Sequence, residues 1–211
     1  MSHISERRQE ERDRRRAEIV DAAELLYAET GWDAITMDQV ARRARLSRGL
    51  VYVYFRDKAD LHLALVERAL DTLRLRFEAA RAGKARGIDE VEAIGLAYYS
   101  YAHELPHYFD ACSRFEARPA GDGVQQNEAA CIAAGHRVHE VIAASLGRGV
   151  ADGSIRGDLG DPYVTALALW ALMLGVIQIV QTKSGQISHE GFSVPQIVEQ
   201  SMTLARRALQ P

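Results

Sequence analysis

Apolar residues in this 211-residue chain recur at steps of three and four, and no stretch alternates cleanly at steps of two. That period belongs to helices, so the predicted fold is all-α. Ile19, Ala23, Leu26 and Tyr27 mark one face of a helix beginning near Ala17, and Gly31 supplies its stop. Met37, Val40, Ala41 and Ala44 mark a second helix of about two turns, and Leu50, Val51, Tyr54 and Phe55 step round a third. Leu61, Leu65, Ala69, Leu73 and Phe77 then follow at steps of four, which predicts a long helix capped by Asp57 and running to about Ala82. Further helices are predicted over 89–104, 106–115, 124–151, 161–183 and 193–209. The breaks between them are Pro106, 119–123, 152–153 with Gly157 and Gly160, and 185–191.

The polar residues between the second and third helices sharpen that pattern. Thr36 followed by Gln39 has the form of a capping box, and Ser47 is a second N-cap only a few residues later. Two short helices joined by a tight turn are a helix-turn-helix, whose second helix enters the DNA major groove. Between Gln39 and Lys58 six basic residues (Arg42, Arg43, Arg45, Arg48, Arg56 and Lys58) face one acid, Asp57. Charge runs are usually solvated helix faces. Tyr52 and Tyr54 favour a nucleic-acid reading here, because a phenol both packs and donates to a phosphate. Arg48, at the exposed start of the third helix, suits bidentate base readout, and Leu50 and Val51 suit apolar contact with a thymine methyl.

Gly31-Trp32, Thr36-Met37, Val40-Ala41, Ala44, Leu46-Ser47, Gly49, Tyr52, Tyr54-Phe55, Lys58 and Leu61 together resemble the amino-terminal signature of the TetR (tetracycline-repressor-like) regulators. The resemblance covers roughly residues 15 to 65. It implies that Thr36, Ser47, Tyr52, Tyr54 and Lys58 hold phosphates, while Gly49 lets the backbone approach closely. The family often has glycine in the turn. This chain has Arg45 there, which completes the DNA-facing set and is slightly strained if it adopts the left-handed region.

The organisation expected from these elements is a charged extension (1–16), a helix-turn-helix domain (17–56) and a larger helical domain (57–211). The long helix acts as a lever, and 83–87 is the candidate linker. In the extension, acids nearly match the arginines, so it reads as a solvated, frayed helix rather than an arm reaching a minor groove. Residues 166–177 carry no polar side chain, yet a membrane span needs about twenty such residues, and Thr165, Gln178, Gln181 and Lys183 bound the run. A helix apolar on all sides is buried on all sides. With the apolar face of the last helix it predicts a four-helix dimer interface built on Leu169, Met173, Val176, Val180, Val198, Met202 and Ala205.

Net charge is -3, so DNA binding must come from a local patch. Cys112 and Cys131 lack metal or redox spacing and read as buried thiols of a cytoplasmic protein. The amino terminus has no apolar core of the signal-peptide kind. His103, His107, His136 and His139 have no carboxylate or cysteine at a regular ligand spacing, so no metal and no cofactor is expected. The chain carries no phosphate loop, nucleophile elbow or metalloprotease motif, which argues against an enzyme. Tyr98, Tyr101, His103, Phe109, Phe115, His139 and Trp170 are candidates for the wall of a small-molecule effector pocket of the kind the resemblance implies. The function expected is a homodimeric repressor of a palindromic operator, released by an unspecified small molecule. A ligand-independent architectural or partner-recruiting DNA binder is the alternative.

Overall fold

The computed structural model describes residues 3–116 and 126–211, and among these every element is helical. In chain order they are α1 (His3–Thr30), α2 (Met37–Arg43), α3 (Arg48–Tyr54), α4 (Lys58–Arg81), α5 (Gly87–Glu104), α6 (Pro106–Glu116), α7 (Gln126–Ala151), α8 (Pro162–His189) and α9 (Val194–Leu209). The break predicted at 119–123 and the helix start predicted at residue 124 lie outside the described residues. Packing divides the chain into two units, residues 1–69 with 105–132, and residues 70–104 with 133–211. The divisions expected after residues 16 and 56 do not coincide with these units. α1 is continuous through residue 16, and α6 belongs with the first unit.

In the first unit α1 packs on α2 and α6, and α2 on α3. Ile19, Ala23, Val40, Val51, Phe55, Leu61 and Leu65 are its deeply buried apolar side chains. Polar clamps add direction to that core. The Tyr27 hydroxyl donates to Asp110 at 2.7 Å, and burial pushes the phenol's pKa up. Arg114 donates to both oxygens of Asp33 at 3.0 Å and to Asp110 at 2.8 Å. Arg68 donates to Asp21 and Glu24 on α1. The end of α1 and the loop after it are thereby fastened to α6.

The second unit rests on apolar layers, with α8 packed on α5 and α9, and α5 on α9. Val176, Val180, Ile187 and Val198 form one buried cluster, flanked by Tyr99, Val194 and Ile197. Residues 83–87 are not a linker between units but a turn inside this one. Arg148 pairs with Glu90 and donates to the carbonyls of Lys84 and Ala85, and Asp152 accepts from the Gly87 amide at 2.7 Å. Gly87 is glycine because α5 meets α7 there. A Cβ would lie 2.1 Å from the Gly149 nitrogen.

α8 also departs from expectation. Lys183 has non-helical angles (φ -123, ψ 15), where the helix was expected to end, but the chain resumes its helix through Gly185 and stops only at Gly191 (φ 85). Burial of Ile187 accounts for the continuation. By length and composition alone α8 is long and apolar enough to cross a membrane.

Candidate nucleic-acid interface and apolar cavity

Caps set the two short helices of the first unit. The Thr36 hydroxyl accepts from the Gln39 amide while the Gln39 side-chain carbonyl takes the Thr36 amide at 2.7 Å, so the capping box is complete. Ser47 accepts from the Leu50 amide at 3.2 Å and starts α3. Between them Arg45 has φ 57, the one positive φ outside glycine among the described residues. An arginine therefore occupies the left-handed conformation that the turn demands, at some cost in strain.

The caps place the α3 side chains on two faces. Val51 and Phe55 point inward with no exposure. Val51 therefore holds the helix down and is unavailable to a thymine methyl, contrary to expectation. Arg48, Gly49, Tyr52 and Val53 point outward, Val53 with 71% exposure, and Leu50 and Tyr54 are half-buried. Val53 is a surface residue that sequence reasoning missed. Its apolar type suggests core, although its spacing of four from Gly49 and of two from Val51 puts it on the outer face. Gly49 has no atom within 4 Å of the place a Cβ would take, so the protein's own packing does not require glycine there.

The basic cluster is less free than a charge count suggests. Arg43 donates to both oxygens of Glu29. Lys58 gives its ammonium to the Asp33 carbonyl at 3.2 Å and lies over the Trp32 ring, and burial lowers its pKa. Arg56 reaches Asp60, which also accepts from the Arg56 amide and from Asn127. Burial raises the Asp60 carboxyl, and those donors more than offset it, holding it below the usual carboxylate range. Arg48 lies against Asp38 at 3.1 Å and over the Tyr52 ring, exposed and oriented. Arg42 and Arg45 are exposed, and neither forms an ion pair among the described residues.

In the second unit a small cavity of about 40 Å³ lies among α5, α8 and α9. Tyr98 and Trp170 line it, with Phe77, Gly95, Met173 and Met202. Its polar edge is Glu92, paired with Arg206, which also donates to Asp89 at 2.8 Å. The other pocket candidates lie elsewhere. Tyr101 is fully buried with Arg76 over its ring, and His103 is exposed near the end of α5. His139 packs edge-on to Trp170 at 5.4 Å and against Tyr163, with a pKa lowered by burial and by His136. Phe109 and Phe115 sit on α6 in the first unit. Among the described residues no three His, Cys, Asp or Glu side chains gather as a metal site.

The residues expected at a dimer interface are mostly turned inward. Met173, Val176, Val180, Val198 and Met202 are buried within the chain, and Leu169 and Ala205 line the cavity. Along α8 the outward apolar side chains are instead Val164, Ala168, Leu172 and Ile179, joined on α9 by Leu204. A helix apolar all round gives the sequence no means of telling its two sides apart.

The family profile described as "Bacterial regulatory proteins, tetR family" matches residues 19–65, and that of the "Tetracyclin repressor-like, C-terminal domain" matches residues 91–203. Among characterised relatives, the regulator HbdR of Aromatoleum sp. (strain CIB) is 42% identical over 60 residues, 28% of this chain and 26% of HbdR. The chain thus spans about a quarter of that relative's length. TtgR of Pseudomonas putida is 28% identical over 192 residues, covering 82% of each chain. The fold is shared with a TetR/AcrR-family regulator from Thermobifida fusca, with a TM-score of 0.68 at 22% identity, over 93% of this chain and 99% of that one.

Proposed function

Because this chain belongs to the TetR family, it is a DNA-binding transcriptional regulator and not an enzyme, and we propose that it acts as a homodimeric repressor released by a small molecule. The observation that carries the DNA side is the outer face of α3, where Arg48, Gly49, Tyr52 and Val53 are presented while Val51 and Phe55 anchor the helix. Arg48 reads a base, oriented by Asp38 and Tyr52. Val53, with Leu50 at its side, supplies apolar contact to a thymine methyl. Gly49 keeps the helix start bare for the sugar-phosphate backbone. Thr36, Arg45, Ser47, Tyr52 and Tyr54 hold phosphates, and Lys58 acts by pinning the loop at Trp32 and Asp33. Residues 17–56 form the functional DNA-binding segment, and residues 57–211 serve effector binding and dimerisation, in the cytoplasm.

Dimerisation follows from the outer stripe of α8 and α9. Val164, Leu172, Ile179 and Leu204 are 43 to 63% exposed in one chain, an apolar row of the kind that a second copy covers in a twofold interface. Two copies present two recognition helices, so the operator is palindromic. The effector enters at the cavity beside Tyr98 and Trp170. About 40 Å³ is far below the roughly 300 Å³ of an ordinary ligand site, so an effector must widen it. Met202 is suited to move, being unbranched and facing Gly95. A mainly apolar ligand with one polar end suits the lining, with Glu92 and Arg206 at its edge. Release is then a population shift toward a form with wrongly spaced recognition helices. α4 runs through both units, and α6 is fastened to Tyr27 and Asp33 beside the reading head.

Selection of bound duplexes from a random library, with Arg48→Ala alongside, tests the reading. One recovered palindrome, at which the variant loses about 1–3 kcal/mol of discrimination at a single base pair per half-site, is the expected result. No enriched sequence and equal binding by both proteins would replace it with sequence-independent architectural binding.

A further inference from the structure

α1 does not begin where its buried face begins. Arg8, Arg12 and Arg16 recur every fourth residue in its amino-terminal half. At about 100° per residue they share a face with Ser5 and Gln9, from which Glu6 and Glu10 are turned away, while Asp13 sits at its edge and accepts from the Gln9 side chain at 2.9 Å. Charges that cancel along the sequence are thus separated in space. Arg7 and Arg14 lie off this face, and Glu11, at its flank, is occupied by Arg14 and Arg15. Further along the helix, the same face buries Ile19 and Ala23, so the arginine stripe continues the side on which α1 packs.

That side opens onto a groove lined by Gln9, Arg12 and Arg16 of α1, Tyr54 and Arg56 at the end of the recognition helix, and Asp60 with Asn127. Arg16 is anchored there over the Phe55 ring at 5.4 Å. The one acid of the groove is consumed internally, because Asp60 accepts from the Arg56 amide and from Asn127. Arg16 also lies 3.7 Å from Glu67, so the positive charge left facing outward comes chiefly from Arg12 and Arg56, next to Tyr54 at the end of α3.

We infer that the basic face of α1 is a second nucleic-acid contact, taking the phosphate backbone of duplex DNA that flanks the half-site read by α3. The inference rests on α3 being the recognition helix. A continuous polyanion suits the stripe better than a single small anion. Arg8 to Arg16 spans about 12 Å of helix, whereas a DNA strand offers a charge about every 3.4 Å of axis. The contact carries no sequence information. It adds affinity, salt dependence and footprint length.

The experiment is equilibrium binding of the full chain to its selected palindrome over a series of KCl concentrations. One duplex carries about ten flanking base pairs on each side, about one helical turn, and the other is trimmed to the palindrome. The double variant Arg8→Gln/Arg12→Gln is compared with the charge-matched Arg7→Gln/Arg14→Gln, with circular dichroism confirming that both remain helical. On the long duplex the first variant is expected to flatten the plot of log K against log salt by about 0.9 for every phosphate it no longer neutralises, while the second follows the wild type. On the trimmed duplex all three converge. Equal slopes for the two variants on the long duplex, with wild-type binding intact, would overturn the α1 contact alone. A wild type that selects no duplex would remove the recognition helix and the α1 contact together.

Discussion

The reading head (residues 36–58) and the α8–α9 layer are both made of ordinary helices, but they encode their exposed faces in opposite ways. In α3, seven residues long, alternation of kind does the work. Val51 and Phe55 are apolar and buried, whereas Arg48, Gly49 and Tyr52 are polar or small and exposed. In α8 apolar side chains lie on every side, and Met173 and Val176 are buried while Leu172 and Ile179 are exposed. Polar specificity writes function into residue type, whereas an apolar surface writes it only into geometry. The one strongly exposed aliphatic residue of α3, Val53, belongs to the second kind, and its residue type hides its outward placement for the same reason.

The largest expected effect comes from charging the outer stripe of α8. Leu172→Glu/Ile179→Glu would bury two unpaired carboxylates in a dimer interface, at a cost of several kcal/mol. Sedimentation equilibrium should show a monomer, and operator affinity should fall roughly a hundredfold or more, since about 1.4 kcal/mol is a factor of ten. The inward neighbour provides the contrast. Met173→Ala should cost about 2–5 kcal/mol of folding stability while leaving the folded protein dimeric. If the charged variant stays dimeric, the outer stripe is not the interface.

The same inside-outside test applies to α3 on a smaller scale. Val51→Ala removes fully buried methyl groups and should lower urea-unfolding stability by about 2 kcal/mol. Val53→Ala should leave stability within about 0.5 kcal/mol, as exposed positions do, yet weaken preference for a thymine in the half-site. Equal behaviour of the two would erase the distinction between the faces.

How far these regions were legible follows from this contrast. Local signals carried well. Thr36 with Gln39, Ser47, Ser193 with Gln196 and Asp161 all cap helices as their types and spacings imply. Long-range choices did not. The glycines of 83–87 resemble a linker until the Gly87–Gly149 approach shows a helix crossing. Phe109 and Phe115 look like pocket aromatics, but α6 packs on α1. The basic excess at 39–58 is partly consumed by Asp60, four residues from Arg56, and by two partners that sequence spacing does not pair with it, the Glu29 carboxylate at Arg43 and the backbone carbonyl of Asp33 at Lys58. The arginines of the extension cancel in a sum and separate only when wound on a helix.

A smaller effect compares one half-buried histidine from each unit. His107 sits 4.0 Å from Glu24 and against the Tyr27 and Tyr108 rings, while His139 lies between Tyr163 and Trp170. Burial pushes both below the ordinary value of 6.5, Glu24 opposing it at His107 and His136 reinforcing it at His139. A histidine depressed in the fold takes up its proton more readily when unfolded. Its contribution is therefore intact above about pH 6.5 and is lost as pH falls below that. Urea midpoints should drop between about pH 7.5 and about pH 5.5. His139→Asn should blunt the drop more than His107→Asn, because no carboxylate at His139 offsets its burial. Identical pH profiles for wild type and both variants would mean that neither histidine reports the transition.

The smallest effect lies at the turn. Arg45 holds φ 57 between α2 and α3, a conformation that costs an L-residue roughly 1–2 kcal/mol. Replacement by glycine removes the strain but loosens the unfolded chain, which takes back about 0.4–1 kcal/mol. Arg45→Gly should therefore stabilise the protein by up to about 1.5 kcal/mol in thermal unfolding. Its guanidinium is exposed and forms no ion pair among the described residues, so the fold gains nothing visible from keeping an arginine there. If the residue holds a phosphate, the more stable variant should bind its operator more weakly, with a salt slope lower by about 0.9 per protomer. Stability and affinity moving in opposite directions would mark Arg45 as a residue kept for DNA at the fold's expense. Stability rising with affinity unchanged would make it a tolerated strain and remove Arg45 from the DNA contacts of the reading head.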